Sequence, residues 1–328
     1  MLVKLVCPNC RKALTQDTSG WRCNACGGLY PLHQGILSFL RRDESFNPTS
    51  FQDKQESAWS ASARLRGRIR RSKALSLVNT ARIRFSISGR RDRIFYTEMH
   101  RGGLDRLILD VGCGGGRHYF CNYGKVVGID PVLELLQIAK TIYDEVYHAS
   151  ALALPFADGS FDYVVSSDVI GHIPAEDKDK LFAEMYRVLK PSGRTVHVIE
   201  TDANNCWFRF AKRYPALFQE YFVQRPGHIS LELPSQLRAR FLRQGFKQVR
   251  FKKYAGTIQE CGALAATFGN EFGQKSAALR FSVALDRFLG RNLLVKELVN
   301  LLLEPVAQIV DRSTPLDNAT GALVVFEK

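Results

Sequence analysis

The segment Leu107-Ile-Leu-Asp-Val-Gly-Cys-Gly-Gly-Gly116 joins a short apolar run to a glycine-rich turn. The run is long enough for a buried strand and too short for a helix. The glycines at 112, 114 and 116 let the backbone approach a ligand closely, with the N-terminus of a following helix nearby. A dinucleotide-binding Gly-x-Gly-x-x-Gly pattern would need glycine at position 117, where this chain has Arg117. The segment therefore predicts a strand and a ligand-binding turn of another kind.

Asp110 together with the spacing Gly112-x-Gly114-x-Gly116 resembles motif I of the class I S-adenosylmethionine (SAM) methyltransferases. The next strand is predicted at residues 125–130 and ends on Asp130, eighteen residues past the first glycine. A carboxylate at this position can accept hydrogen bonds from both ribose hydroxyls of a bound nucleoside. An aspartate between a strand and a proline is also a good helix cap, so both interpretations stay open.

From residue 107 onward the chain alternates strand and helix patterns, which predicts a parallel sheet with helices on both faces. Two later segments resemble the ubiquinone/menaquinone-biosynthesis-like group of class I methyltransferases: Leu154-Pro-Phe-Ala-Asp-Gly-Ser-Phe-Asp162 and Glu184-Met-Tyr-Arg-Val-Leu-Lys-Pro-Ser-Gly193. The resemblance covers about residues 94–200 and implies an α/β fold, a Rossmann-like doubly wound sheet with an antiparallel last strand. The chain departs from the group at Ser150, where an aspartate usually contacts the adenine amine, and at Ser192, where glycine is usual.

The remaining patterns complete the expected order of elements. Strands are predicted at 145–150, 163–169, 194–200, 247–254 and 321–326, and helices at 93–103, 234–245, 277–289 and 293–310. The segment 201–232 is predicted to form a lid over the acceptor, and residues 255–320 a helical insertion that helps to shape the acceptor pocket. The lid is rich in aromatic residues, which could stack against a planar acceptor, lie at a membrane interface or pack as the core of the lid.

The resemblance implies SAM as cofactor and places its binding residues along the sheet edge. These residues are Asp110, Gly112, Cys113, Gly114, Gly116, Asp130, Ser150, Ala151, Leu152 and Ser167. The segment Ser167-Asp168-Val-Ile-Gly-His172 follows the fourth strand, at the carboxyl edge where ligands bind in such sheets. We expect Asp168 to contact the methionine part of the cofactor or the acceptor, and His172 to act as general base. A histidine that only caps this loop is an equal alternative.

Four of the eight cysteines form the pairs Cys7-Pro-Asn-Cys10 and Cys23-Asn-Ala-Cys26, separated by twelve residues. Two such pairs can direct four thiolates at one tetrahedral zinc ion, and four cysteine ligands are typical of a closed, structural site. A disulfide pair or a redox pair is a weaker alternative. The following Tyr30-Pro-Leu-His-Gln-Gly-Ile36 resembles the Trm112-like zinc-ribbon family, some of whose members act as partners of methyltransferases. The sequence thus predicts a zinc ribbon at 1–42.

Residues 43–93 are predicted to be a linker followed by a basic helical segment, and residues 94–328 to form the methyltransferase domain. Between 64 and 93 the chain has ten arginines and one lysine against a single acid, Asp92. Apolar residues recur among these charges at loosely helical spacing, so a phosphate-binding surface, on RNA or on lipid headgroups, is one interpretation. A solvated helical face between the two domains is the other. The net charge of +14 agrees with an anionic partner, RNA or an anionic membrane surface.

Three functions remain open at this level. The first is a SAM-dependent methyltransferase that acts on a small-molecule or lipid-linked acceptor, and the second is an RNA methyltransferase that uses the ribbon and the basic segment. The third is a non-catalytic protein that binds SAM or docks a partner. No apolar run in the 328 residues approaches the ~18 that a transmembrane segment needs, and the first residues lack a signal-peptide pattern, so we expect a cytoplasmic protein.

Overall fold

The computed structural model describes residues 1–16, 20–40, 82–100, 105–254 and 258–328. Among these residues the strands join into one sheet, flanked by helices and one π-helical segment at Gln219–Gln224. The strands are β1 (Thr15–Gln16), β2 (Gly20–Arg22), β3 (Leu29–His33), β4 (Ile36–Ser38), β5 (Leu107–Val111), β6 (Lys125–Asp130), β7 (Glu145–His148), β8 (Phe161–Ser167), β9 (Leu189–Glu200), β10 (Lys247–Tyr254) and β11 (Gly321–Glu327). The helices are α1 (Arg90–Met99), α2 (Leu133–Ala139), α3 (Lys178–Val188), α4 (Cys206–Ala211), α5 (Pro215–Phe218), α6 (Pro234–Arg243), α7 (Ala263–Phe268), α8 (Glu271–Gln274), α9 (Ala277–Gly290) and α10 (Leu293–Ser313).

The strands follow the spatial order β1-β2-β3-β4-β7-β6-β5-β8-β9-β11-β10. The strands from β7 to β9 are mutually parallel, and β11 runs antiparallel between β9 and β10. This mixed sheet, with its last strand antiparallel, agrees with the predicted fold class. Because parallel strands end at the same edge, the residues that follow β5, β6, β7 and β8 meet there.

The two faces of the sheet bury separate apolar clusters. Alternate residues of β5 point to opposite faces, so that Ile108 packs with α1 and α2 while Leu109 packs with α3 and α6. Both side chains are fully buried, as expected for a central strand covered on both faces. This core holds the glycine turn after β5 in place.

Several predicted boundaries were wrong by a few residues. The third strand ends at His148 rather than 150, because the Ser150 hydroxyl accepts a hydrogen bond from the Leu152 N–H and forms a turn there. The fourth strand ends at Ser167 rather than 169, where Asp168 adopts a φ of 60°. The fifth strand begins at Leu189, five residues before its predicted start.

Two predictions about helices also need correction. The glycine turn is not followed by an α-helix but by a single 3-10 turn at Phe120–Asn122, so the expected helix does not begin directly after the turn. The helix predicted at 93–103 is α1, which begins three residues earlier and ends at Met99; residues 101–104 lie outside the described part. The helices predicted at 277–289 and 293–310 are confirmed as α9 and α10.

The N-terminal segment extends the central sheet. Strand β4 pairs in parallel with β7, with Leu37 opposite Tyr147 and Ser38 opposite His148. Leu5 forms an isolated bridge with Phe156, further along the same side of the sheet. Residues 1–16 and 20–40 are therefore hydrogen-bonded to the Rossmann-like sheet rather than tethered only through the linker.

The described end of the basic segment attaches the helical insertion to the sheet. Arg90 of α1 donates to Glu304 and to Asp311 of α10, each at 2.6 Å, and Arg93 donates to Glu304 at 2.6 Å. Arg90, Glu304 and Asp311 are buried. These two arginines serve internal ion pairs, whereas residues 43–81, which carry most of the predicted basic surface, lie outside the described residues. No helix in the described part is long and apolar enough to cross a membrane.

Candidate active site

The glycine turn after β5 needs glycine for conformational and steric reasons. Gly112, Gly114 and Gly116 have φ angles of 65°, 51° and 80°, in the left-handed region that other L-residues rarely adopt. A Cβ atom at Gly112 would lie 2.5 Å from Cγ2 of Val169, on the loop after β8. The turn therefore packs closely against the loop that carries Asp168 and His172.

Asp130 closes β6 and holds the glycine turn. Its Oδ2 accepts a hydrogen bond from the Gly114 N–H at 2.8 Å, and its Oδ1 accepts one from the Val132 N–H at 2.9 Å. Burial raises the pKa of Asp130 to about 6, although these two N–H donors work in the opposite direction. The bond to Val132 forms a turn ahead of α2, but Asp130 is not the helix cap, because the N-cap residue is Val132 and it has no side-chain cap. Each carboxylate oxygen has two lone pairs, so both oxygens retain acceptor capacity.

Asp110 lies beneath the turn, 2% exposed. The Tyr143 hydroxyl donates to its Oδ2 at 2.7 Å and accepts from the Arg117 N–H at 2.7 Å, so it bridges the strand and the turn. Burial raises the pKa of Asp110 to about 7, while the Tyr143 hydrogen bond opposes this. Sequence reasoning did not identify Tyr143, because an aromatic residue shortly after a helix resembles ordinary core. Asp110 and Tyr143 together support the turn from below.

The other predicted cofactor residues line the same edge. Cys113 is buried, and its N–H donates to the Ile129 carbonyl at 2.9 Å. Ser150, Ala151 and Leu152 follow β7 and are half-buried, next to Ala149, whose N–H donates to the Asp130 carbonyl at 3.3 Å. The structure thus brings the residues after β5, β6 and β7 together.

Asp168 follows β8 in a strained backbone conformation. Its φ of 60° is uncommon for a residue other than glycine. The Arg91 guanidinium of α1 contacts its carboxylate, and the Ser167 hydroxyl donates to Oδ2 at 3.2 Å. Its Oδ1 is buried and has no hydrogen-bond partner among the described residues. A buried carboxylate oxygen without a donor is unusual, and it indicates a place for a polar ligand group.

Two histidines lie side by side where the lid meets the loop after β8, with ring centroids 5.2 Å apart. Nδ1 of His172 is 2.8 Å from the Gly227 carbonyl oxygen, which can only accept. This nitrogen therefore donates, and the lone pair of a neutral ring lies on Nε2. Burial lowers the pKa of His172; the Gly227 bond opposes this and the neighbouring His228 adds to it.

His228 has the opposite character. Nδ1 is 2.8 Å from the Phe222 carbonyl oxygen, and Nε2 is 2.7 Å from Oε2 of Glu200 at the end of β9. Both partners are acceptors, so the arrangement favours the doubly protonated ring. Burial alone would lower the pKa of His228, but the hydrogen bond and negative charge of Glu200 raise it.

A cavity of about 620 Å³ opens beside Glu200 and His228. The end of β9, the start of α1, the lid and the insertion all contribute to its walls. Among the lining residues are Ile87, Arg91, Glu200, Phe208, Tyr221, Phe222, Arg225, His228, Leu231, Ile258, Glu260, Ala263 and Ala266. Arg91 lines the cavity and also contacts Asp168, so the cavity adjoins the sheet edge described above.

The lid aromatics form a packed core and also contribute to the cavity wall. Phe208 and Phe222 are buried and pack with Phe268 and Phe272 of the insertion, as a lid core would. Tyr221 is half-buried and lines the cavity, with the Arg225 guanidinium 4.0 Å from its ring centroid. The lid and insertion therefore share a core and together enclose the cavity.

The four cysteines of the N-terminal segment come together. The Sγ atoms of Cys7, Cys10, Cys23 and Cys26 all lie within 4.8 Å of one another, with Cys7 3.5 Å from Cys26 and Cys10 3.4 Å from Cys23. Zinc–sulfur bonds of about 2.3 Å in a tetrahedron place the sulfurs about 3.8 Å apart. The cluster is compatible with a zinc ribbon.

Comparison with known proteins finds a matching family model, similar proteins and similar solved structures. A family model described as a methyltransferase domain matches residues 109–197, which run from β5 to β9. The chain is 30% identical to a demethylmenaquinone methyltransferase of Oceanobacillus iheyensis over 177 residues, 46% of this chain and 73% of that protein. It is 30% identical to the Listeria welshimeri demethylmenaquinone methyltransferase over 188 residues, 49% of this chain and 77% of that one. The solved structure of a SAM-dependent methyltransferase from Archaeoglobus fulgidus aligns with 77% of this chain and 99% of its own, at 18% identity and a TM-score of 0.43.

The fold and the sheet edge define a SAM-dependent methyltransferase. The chain belongs to the class I SAM-dependent methyltransferases, and demethylmenaquinone methyltransferases are among its relatives at about 30% identity.

Proposed function

We propose that this enzyme transfers the methyl group of SAM to a small-molecule or lipid-linked acceptor that binds in the 620 Å³ cavity. The observation that carries the proposal is that Arg91 joins the two sites: it lines the cavity and contacts Asp168 at the sheet edge. An acceptor in the cavity would therefore lie next to the residues proposed for the cofactor. Proximity of this kind is a main source of rate acceleration in a direct displacement.

The residues at the sheet edge fit SAM, which supplies a methyl group on a positively charged sulfur. The unpartnered Oδ1 of Asp168 suits the ammonium of the methionine part. Asp130 has acceptor capacity left for ribose hydroxyls, and the Ser150 hydroxyl can replace the usual aspartate toward the adenine amine. The glycine turn, with Cys113, would provide the close backbone approach, supported by Asp110.

We propose His172, whose ring centroid lies 5.2 Å from that of the cavity-lining His228, as the general base that removes a proton from the acceptor. Its Nδ1–H is held by the Gly227 carbonyl, which leaves the basic lone pair on Nε2. Its lowered pKa keeps the ring neutral at pH 7, as a base requires. The lid is tied to this loop, because the Gly171 carbonyl accepts from the Ile229 N–H at 2.9 Å.

His228 suits another task. Held between two acceptors, it is a poor base, and its positive charge beside the cavity would stabilise a developing anion on the acceptor. Glu200 would keep it protonated and oriented. In this proposal His172 is the base and His228 the electrostatic stabiliser.

The chemistry of the cavity supports an aromatic or quinone-like acceptor. Tyr221 offers a ring face, Ile87 and Leu231 offer apolar walls, and Arg91 and Arg225 offer positive charge for an acidic hydroxyl. The named activity of the relatives, methylation of demethylmenaquinone, agrees with this chemistry. For the N-terminal segment we propose a structural zinc ion held by the four cysteines.

The RNA alternative receives no support from Arg90 and Arg93, because both serve internal ion pairs. A direct assay tests the class of the acceptor. Purified protein and SAM with a labelled methyl group are added to a cell extract that lacks the native enzyme, and lipid, small-molecule, protein and RNA fractions are counted. We expect label in the lipid or small-molecule fraction, and none with the Gly112→Val variant, whose side chain would meet Val169.

Label in RNA that ribonuclease releases would overturn the proposed acceptor. SAM binding without turnover in any fraction would instead favour the non-catalytic alternative. A control reaction with Gly290→Val, at the last residue of α9, separates loss of the cofactor site from a general effect of a new side chain, because this glycine lies outside the left-handed region and an added Cβ would lie 3.5 Å from its nearest contact, Cα of Gly262.

A further inference from the structure

The outer surface of the helical insertion is apolar to a degree found nowhere else in the described chain. Among the described residues, eight large apolar side chains are more than 60% exposed; six of them lie on α9 and α10, and the other two are Met1 and Leu29. The six are Phe281, Phe288, Leu293, Leu294, Leu302 and Ile309, with exposures of 71, 68, 76, 83, 64 and 65%. The two helices pack against each other, and their exposed apolar side is here named the α9–α10 face.

Contiguous apolar patches of this kind mark interaction sites on proteins. The inner sides of the same helices are already satisfied, since Leu279 and Val283 pack with the lid. The exposed apolar residues are therefore separate from the residues that form the core of the insertion.

The acidic residues of α9 and α10 lie on the inner side of the two helices. All four acids point inward: Asp286 accepts from the Gly262 and Ala265 N–H groups, Glu297 from the hydroxyls of Ser86 and Ser88, and Glu304 and Asp311 from Arg90.

Between residues 277 and 313 the exposed charged residues are all arginines, namely Arg280, Arg287, Arg291 and Arg312. The first three recur at intervals of seven and four residues, so they lie on one side of α9 and border the apolar stripe. The outer face is thus apolar with a cationic margin and no exposed acid.

We propose that the α9–α10 face docks on the surface of an anionic lipid bilayer. Apolar side chains flanked by arginines match an acyl-chain boundary flanked by anionic headgroups, which is the pattern of helices that lie in a membrane interface. A second copy of the chain fits less well. A two-fold contact through this face would bring the arginines of both copies together, with no acid on the face to pair them.

The docking would serve the proposed reaction but does not depend on it. Helix α7, which lines the cavity through Ala263 and Ala266, packs against α9. A bilayer bound at the α9–α10 face would therefore lie on the same helical unit as the cavity wall. The binding itself can be measured without any acceptor.

The experiment measures co-sedimentation of the full chain with vesicles of phosphatidylcholine, with and without phosphatidylglycerol. We expect binding to the anionic vesicles, and at least tenfold weaker partitioning for Leu294→Glu and, as a second variant on the other helix, for Phe281→Ser. The matched control Leu29→Glu replaces a leucine that is 61% exposed on the ribbon, and it should bind like the unmodified chain. Because all three side chains are exposed, each variant should keep the thermal unfolding temperature.

A double variant, Arg280→Gln with Arg291→Gln, tests the cationic margin. The control double variant, Lys180→Gln with Lys247→Gln, removes two exposed charges from other parts of the chain. Only the first pair should reduce the preference for anionic over neutral vesicles. Absence of vesicle binding, or equal losses for Leu294→Glu and Leu29→Glu, would overturn the proposal. So would a dimer in light scattering that Leu294→Glu dissociates while vesicle binding is absent, since a second copy would then cover the face.

Discussion

The N-terminal ribbon and the C-terminal insertion are both additions to the methyltransferase sheet, yet they are attached in opposite ways. The ribbon adds a strand to the sheet through β4 and β7, and the side chain of Arg11 reaches the buried Glu184. The insertion shares no strand and is attached through apolar packing with the lid and through the buried pairs of Arg90 with Glu304 and Asp311.

The difference extends to their surfaces. The ribbon converges on its own cysteine cluster, whereas the insertion lines the cavity and leaves an apolar face outward. An edge strand needs covering, and the ribbon covers the β7 edge of the sheet. We infer that the ribbon stabilises the sheet, while the insertion serves acceptor binding.

The largest expected effect comes from removing the zinc ion that we propose for the four cysteines of the N-terminal segment. Structural zinc contributes an apparent binding free energy of about 10–16 kcal/mol in small zinc-finger peptides, so Cys23→Ser or a strong chelator should unfold residues 1–40. We expect a lower unfolding temperature and loss of hydrogen-exchange protection in β4 and β7. Cys206→Ser, at an exposed cysteine of the lid, is the control. Unchanged protection without bound zinc would contradict the structural role.

The second prediction concerns His172, which lies on the loop after β8, outside both the ribbon and the insertion. His172→Asn should lower kcat by about 10²–10⁴-fold with unchanged unfolding, because it removes the proposed base. The rate should be constant at high pH and fall as the pH drops through a value below 6.5, where a buried His172 of lowered pKa becomes protonated.

His33→Asn on the ribbon is the matched control and should leave both kcat and the pH profile unchanged. His228→Asn should also lower kcat, because the charge that stabilises the developing anion is lost, but it should leave the acid limb of the profile in place. If His228→Asn removes that limb and His172→Asn does not, the two roles are reversed.

The third prediction tests how the insertion is attached. Glu304→Gln leaves Arg90 buried with one ion-pair partner fewer, and removal of one partner from a buried pair costs about 3–5 kcal/mol. Urea unfolding should show this loss. Burial would raise the pKa of Glu304, but Arg93, Gln308 and Arg90 together lower it. Its contribution to stability should therefore be full above the ordinary carboxyl pKa and disappear as the pH falls through the lowered value.

An exposed pair provides the comparison for that variant. Glu220→Gln breaks the ion pair with Arg225 on the lid surface, where both side chains are at least 40% exposed. Exposed pairs contribute about 0–1 kcal/mol, so this variant should unfold almost as the unmodified chain does. Equal losses for the two variants would mean that the insertion is not held by its buried charges.

The smallest expected effect concerns the ribbon–sheet contact. Arg11→Gln removes the ion pair with Glu184 and a hydrogen bond to the Leu154 carbonyl, but Arg11 is more than one-third exposed and Glu184 keeps Arg187 as a partner. We expect a loss of about 1 kcal/mol in urea unfolding. A loss as large as that of Glu304→Gln would contradict the inference that strand pairing, rather than this ion pair, holds the ribbon.

The prediction of the sheet was accurate because its signals are local. An apolar run followed by glycines, as at 107–116, specifies a strand and a turn from a few neighbouring residues. The predicted end of β8 was wrong, because Asp168 has a positive φ that ends the strand. An aspartate does not predict such a conformation. The expected helix after the glycine turn was likewise replaced by a 3-10 turn, which Tyr143 supports from a distant part of the chain.

The amino-acid sequence by itself determined the class of fold, the glycine turn, the order of the strands and the two cysteine pairs. These features rest on residue type and short-range spacing, which act before the chain folds. Only the tertiary structure decided that the ribbon joins the sheet, that Arg90 is an internal anchor and that His228 rather than His172 is held by Glu200. Such contacts join residues that are 28 to 214 positions apart, and packing, not local pattern, selects them.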